Sequence, residues 1–253
     1  SIRVRLSGLN VRVESAPSGG NYSVVTSLGT VAASSVSKLV VNAGGGVNTI
    51  DLSAMTRAGF GALASIEVNA GDGADRILGP LDIATTANGG NGNDTLLMGS
   101  GNDLVVGGDG DDSVDAGSGN DTVQGGDGRD TVLAGLGNDS LDGGNGIDSL
   151  DGSTGNDVIF GGASGDVIVG GDGNDSLVGG DGRDTLNGNG GNDTIVAGIG
   201  DDCVIGGAGN DSVDGGDGND SLYGGEGNDS FYGAAGDDYL SGEAGKDTVH
   251  GAS

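Results

Sequence analysis

The sequence predicts an all-β fold, a parallel β-helix solenoid (β-roll) with 18-residue coils made of two nine-residue repeats, on three observations. A nine-residue period runs from Gly89 to His250 as eighteen repeats, without insertion or deletion. The sixth position is Asp in all eighteen repeats, and the fourth is Gly in seventeen, with Ser164 as the exception. The eighth is always apolar, from Leu96, Val105 and Val114 through to Phe231, Leu240 and Val249. Gly- and Asp-rich composition suggests a flexible linker, but a linker does not hold phase over such a length.

The first six positions of a repeat, as in Gly107-Gly108-Asp109-Gly110-Asp111-Asp112, predict a turn. Gly reaches positive φ there without the strain that a Cβ brings. The last three, as in Ser113-Val114-Asp115, predict a very short strand with its centre facing inward. Turn, strand, turn, strand closes one coil every two repeats, and each strand pairs with the one two repeats later. At about 4.8 Å per coil, the nine coils of the array make a narrow rod roughly 43 Å long.

Residues 1–88 predict a β-helical part with degenerate repeats. Leu39-Val40-Val41-Asn42-Ala43-Gly44-Gly45-Gly46 and Ile66-Glu67-Val68-Asn69-Ala70-Gly71-Asp72-Gly73 recur three repeat lengths apart, and a weaker copy begins at Val11-Arg12-Val13. Longer insertions such as Ser53 to Ala64 follow these strands, which predicts wider coils. Asn21 and Asn48 stand where the array has Asp, whereas Asp75 keeps it. Residues 251–253, Gly251-Ala252-Ser253, read as a truncated repeat or the opening of a further turn, with no polar cap.

Composition narrows the function. With 34% hydrophobic and 3% aromatic residues, a core of large interlocking side chains is not expected. With 38 acidic against 9 basic residues and a formal charge of -29, neither nucleic acid nor an anionic membrane surface is expected as a partner. No apolar run approaches the roughly 20 residues of a membrane span, and Ser1 to Leu6 lacks the pattern of a signal peptide. Cys203 is the single cysteine, so no internal disulfide is expected. His250 is the single histidine, which leaves no Ser or Cys triad and no His-based catalytic metal site. The segment is expected not to be an enzyme.

The tandem Gly-Gly-x-Gly-x-Asp-x-apolar-x resembles the calcium-binding β-roll of the RTX (repeats-in-toxin) family. The resemblance covers about two-thirds of the chain in eighteen in-phase copies. It implies that each Ca²⁺ ion lies between one turn and the turn two repeats later, held by Asp carboxylates and turn carbonyls. The ligands so implied are Asp94, Asp103, Asp112, Asp121, Asp130, Asp139, Asp148, Asp157, Asp166, Asp175, Asp184, Asp193, Asp202, Asp211, Asp220, Asp229, Asp238 and Asp247. Asp75 is the best candidate in the upstream part. Two stacks of nine turns have eight gaps each, for up to about sixteen ions.

Elementary physics points the same way. One inward apolar side chain per repeat falls short of the cost of ordering a Gly-rich chain. Stacked Asp carboxylates repel one another, so a cation is needed between the turns. Hard carboxylate and carbonyl oxygens, without a His or thiolate cluster, select calcium over zinc or copper, and Mg²⁺ tolerates such flexible cages poorly. Without calcium the chain is expected to be largely disordered.

Fifth positions of alternate repeats form an Asn series, Asn102, Asn120, Asn138, Asn156, Asn174, Asn192, Asn210 and Asn228, which Lys246 ends. Stacked amides hydrogen-bonding along the rod are the plain reading. Ice binding needs a matching Thr array, and the third positions, from Ser100 and Ser118 to Leu136 and Asp172, do not supply one. Ser164, with Gly165 beside it, is either a tolerated substitution or a turn whose flexible residue moves by one. Arg129 and Arg183 are expected to be salt-bridged or solvated. Cys203 and scattered apolar residues such as Leu133, Phe160 and Tyr232 point outward.

Two uses follow. The chain is a secreted, extracellular or cell-surface structural protein that partners itself head to tail as a fibre or surface layer. The alternative is a calcium-folding segment of a larger secreted enzyme, toxin or adhesin.

Overall fold

A computed structural model describes residues 3–7, 10–14, 22–25, 38–58 and 63–250, with side chains described from residue 38 onward. Asn21, part of the Ser53 to Ala64 insertion and Gly251-Ala252-Ser253 lie outside the described residues. The described chain is all β, with no helix. Its strands form two sheets, one of 14 strands and one of 12, and consecutive strands alternate between them throughout the array. Strand pairs are parallel except the first, where Arg3–Ser7 runs antiparallel to Asn10–Glu14.

The coil length is written in the pairing. In the array Val105 faces Val123 and Val114 faces Val132, one 18-residue coil apart. Upstream, Lys38 faces Ser65 and Ile66 faces Thr85, the same steps of 27 and 19 that separate Asn48 from Asp75 and Asp75 from Asp94. Val11-Arg12-Val13 does pair with Leu39-Val40-Val41. The coil therefore shortens along the chain before it settles at its array length.

Most strands are twice as long as the spacing predicts. Leu104–Asp109 takes the last three positions of one repeat and the first three of the next. Pairing lapses at Gly107 and resumes at Gly108, opposite Gly126. The turn proper is confined to positions four to six. Glycines that suggest a turn by composition also let neighbouring backbones stay paired through a bend.

The core is a single file on each sheet. The eighth-position side chains from Leu96 to Phe231 are buried and form one continuous cluster with Leu39, Ile50, Ile66 and Ile77 upstream. Leu240 is partly buried and Val249 is 57% exposed, so the last coil lacks the cover that each earlier coil receives from its successor. Ser164 takes φ 86° itself, so the turn keeps its phase and the substitution is tolerated.

Candidate metal columns

Because each coil holds two repeats, the sixth-position residues stack into two columns, one on each edge of the roll. One runs from Asp75 and Asp94 through Asp112 to Asp238, and the other from Asp103 and Asp121 to Asp247. All nineteen residues expected from the sequence stand in these columns.

The bond between levels is the same each time. The backbone N–H of one Asp donates to Oδ1 of the Asp one coil later: Asp94 to Asp112 at 2.7 Å, Asp148 to Asp166 at 2.8 Å and Asp211 to Asp229 at 2.9 Å. This consumes one carboxylate oxygen. The other, Oδ2, is buried without a hydrogen-bond partner in Asp75, in Asp94 and in every column Asp from Asp112 to Asp229. A buried oxygen with charge and no donor is costly. Its regular recurrence along both columns offers a series of oxygens suited to a positive partner.

The surroundings of Oδ2 fit a cation. A methyl group on Gly107 would stand 2.4 Å from Asp112 Oδ2 and 2.6 Å from the Gly125 carbonyl oxygen of the next coil. On Gly161 it would meet Asp166 Oδ2 and the Gly179 carbonyl, both at 2.6 Å. A carboxylate oxygen of one coil and a carbonyl of the next thus converge on a space with no side chain in it. Among the described residues no three His, Cys, Asp or Glu side chains converge, so the donor set mixes carboxylate with backbone carbonyl. That set suits a hard cation with flexible coordination, as calcium has.

Burial perturbs the carboxylates of both columns. Burial pushes the Asp112 carboxyl up from its usual 3.8 to about 7, against the opposing hydrogen bond from the Asp94 N–H, and the neighbouring Asp130 and Asp94 charges add to the rise. Asp103 and Asp157 are likewise pushed to about 7, and Asp94 and Asp193 to about 6, with burial again the first cause.

Both columns change chemistry at their upstream ends. Asn48 occupies the Asp position above Asp75, its N–H donating to Asp75 Oδ1 at 2.6 Å. Thr85 occupies that position above Asp103, its N–H donating to Asp103 Oδ1 at 2.6 Å. Thr85 was not among the residues singled out from the sequence, although it lies one 18-residue coil before Asp103 and the phase alone would have found it.

The fifth-position Asn series forms the expected ladder. Asn138 N–H donates to Asn120 Oδ1 at 3.0 Å and Asn192 N–H to Asn174 Oδ1 at 2.7 Å. Arg183 reaches the Asp201 carbonyl through Nε at 3.1 Å. Cys203 is a half-buried free thiol. Among the described residues no helix is long and apolar enough to cross a membrane.

No curated protein matches the chain. The model of the RTX calcium-binding nonapeptide repeat matches residues 86–105, 106–141, 142–177, 169–204, 178–213, 198–231 and 214–249. These matches follow one another across the two columns and take in well over half of the sequence, so the chain belongs to the family of RTX calcium-binding nonapeptide repeats and carries a calcium-binding structural repeat region.

Proposed function

We propose that the chain is a non-catalytic, secreted or cell-surface rod whose repeat region folds on calcium and assembles end to end. The observation that carries the calcium part is the unpartnered Oδ2 at successive levels of both columns. The Asp residues from Asp94 to Asp247 would hold the ions together with turn carbonyls, in up to about sixteen gaps, and Asp75 above Asp94 adds one more of the same kind. Bound calcium would neutralise the columns and supply the charge that the orphaned oxygens lack. Calcium that binds the folded turns and not the open chain shifts the equilibrium toward the fold. An extracellular setting, where calcium reaches millimolar levels, suits many modest sites of this kind.

Support for assembly is the stacking itself, in which parallel strands of each sheet pair coil on coil and each coil offers its strand edges to the next. An uncovered strand edge is a template for another chain. The same edge also suits continuation into a larger secreted protein, which is the second reading.

Circular dichroism with light scattering through a calcium titration, reversed with EGTA, separates the outcomes. A coil-to-β transition with rising scatter is expected. A transition without scatter would replace assembly by the second reading, and no transition would overturn the dependence on calcium.

A further inference from the structure

The residues at the heads of the two columns share a property that the Asp residues below them lack: each carries its own proton. Asn48 is buried at 1% exposure, and its Nδ2 donates to the Gly46 carbonyl at 2.8 Å and the Gly44 carbonyl at 3.3 Å. It also reaches the Ala70 carbonyl of the next coil at 3.5 Å. Three carbonyls around one nitrogen fix which way the amide points, since the reversed amide would gather only acceptors there. The Oδ1 left over is buried without a donor, but it is neutral and costs less to desolvate than a carboxylate. Thr85, also buried at 3% exposure, donates through Oγ1 to the Ile83 carbonyl at 3.0 Å. Relative to the sixth position, Gly46 and Ile83 both occupy the fourth, Gly44 the second, and Ala70 the first of the following coil.

In the array the residue at this place is Asp, which can only accept when ionised, and its Oδ2 is left without a donor. At the heads, Asn48 Nδ2 meets carbonyls of its own turn and of the next coil, and Thr85 Oγ1–H meets one carbonyl of its own turn. We infer that Asn48 and Thr85 are metal-independent caps of the two cation columns: their side-chain protons stand in for the first ion, so the coils that carry them close without calcium and present a formed edge on which calcium-dependent coils stack. The inference rests on the calcium reading above and adds to it where the metal sites begin and from which end the roll grows.

Hydrogen exchange followed by mass spectrometry on the full chain, in EGTA and then at increasing calcium, tests this. In EGTA the wild-type strands Lys38–Asn42, Asn48–Asp51 and Ser65–Asp72 are expected to exchange at least about a hundredfold more slowly than the strands from Leu104 onward. In Asn48→Asp that protection should vanish in EGTA and return with calcium, accompanied by one additional bound ion per chain in equilibrium dialysis. Thr85→Asp should make protection of strand Thr85–Asn91 more dependent on calcium in the same way. Asn48→Leu, which keeps the bulk and removes the donor, should lose EGTA protection without gaining an ion.

Unchanged exchange and stoichiometry in Asn48→Asp would overturn the inference. So would wild-type upstream strands that exchange in EGTA as fast as the array. Failure of the underlying reading looks different, because the wild type would then bind no calcium at all.

Discussion

The upstream coils and the array share the same two sheets and one continuous core yet are held by different means. Between residues 38 and 88, 13 of the 47 described residues are buried hydrophobics, against 19 of 162 between 89 and 250. The upstream part therefore buries more than twice as much apolar side chain per residue, including Leu52, Met55, Leu63 and Ile83 from its wider coils. The array replaces that burial with columns of carboxylates, and where the columns stop, neutral donors take the Asp position. In the array an Asp Oδ2 and a carbonyl of the next coil converge on one space, whereas at Asn48 a side-chain N–H meets the carbonyls.

Acid should break the comparison most completely. In the metal-free roll the column carboxyls are raised from 3.8 to about 6 or 7 in Asp94, Asp112, Asp157 and Asp166, so the folded state binds more protons than the open chain across that interval. Their stabilising effect is full below about pH 4 and is lost as pH rises through about 7. Calcium binding runs the other way, since protonated carboxyls are poor ligands. In EGTA, ellipticity of the array should grow as pH falls from 7 to about 4, while the calcium midpoint moves to higher concentration over the same range. A calcium-free array that stays unfolded throughout would show that burial of the carboxyls is not what opposes closure.

Truncating the core distinguishes the regions by what can rescue them. Ile66→Ala and Ile159→Ala each remove a fully buried side chain, at about 2–5 kcal/mol. Added calcium should restore the array in Ile159→Ala, because binding is linked to its folding. It should not restore the upstream strands in Ile66→Ala. Segment-resolved hydrogen exchange at two calcium concentrations reads both.

Phase carried most of this architecture. The 18-residue coil, the two columns and the inward eighth position follow from a period that never slips between Gly89 and His250. Strand length did not follow, because Gly107 and Gly108 give no sign in composition that they bend within a paired strand instead of leaving it. The upstream coils were legible where the Leu39 and Ile66 segments recur three repeat lengths apart. They were less so where a wide coil adjoins a narrow one at Ile66 and Thr85, since no single period spans the change. Thr85 was hidden for a different reason: it keeps the phase of Asp103, one coil earlier, but none of its chemistry, so a series defined by Asp passes over it.

A smaller effect separates carboxylate chemistry from column geometry. Asp157→Ala removes an orphaned Oδ2 and also the Oδ1 that accepts the buried Asp139 N–H at 2.8 Å. Leaving that donor unpaired should cost about 1–3 kcal/mol beyond any lost ion. Asp157→Asn keeps an acceptor for the N–H and places an amide where Asn48 has one. It should bind fewer ions than the wild type while melting, in saturating calcium, closer to the wild type than Asp157→Ala does. Equal melting of the two variants would mean that the N–H bond between levels contributes nothing.

The smallest effect concerns the fifth position, where the two edges of the array differ. On one edge Asn174 Oδ1 accepts both the N–H of Asn192, at 2.7 Å, and its Nδ2, at 3.1 Å, and the same contact repeats at Asn192 and Asn210. On the other edge Arg129 N–H still finds Asp111 Oδ1 at 2.9 Å, but Ile147 and Gly165 follow, and the ladder resumes at Asn219 with Asp201. These bonds are exposed, so each competes with water and contributes about 0.5–1 kcal/mol. Asn174→Ala should lower the thermal midpoint in saturating calcium by a few degrees at most, whereas Ile147→Asn offers an acceptor to the Gly165 N–H and should raise it slightly. If Asn174→Ala leaves the midpoint unchanged and Ile147→Asn does not raise it, the exposed ladder is a by-product of stacking and the columns alone hold successive coils in register.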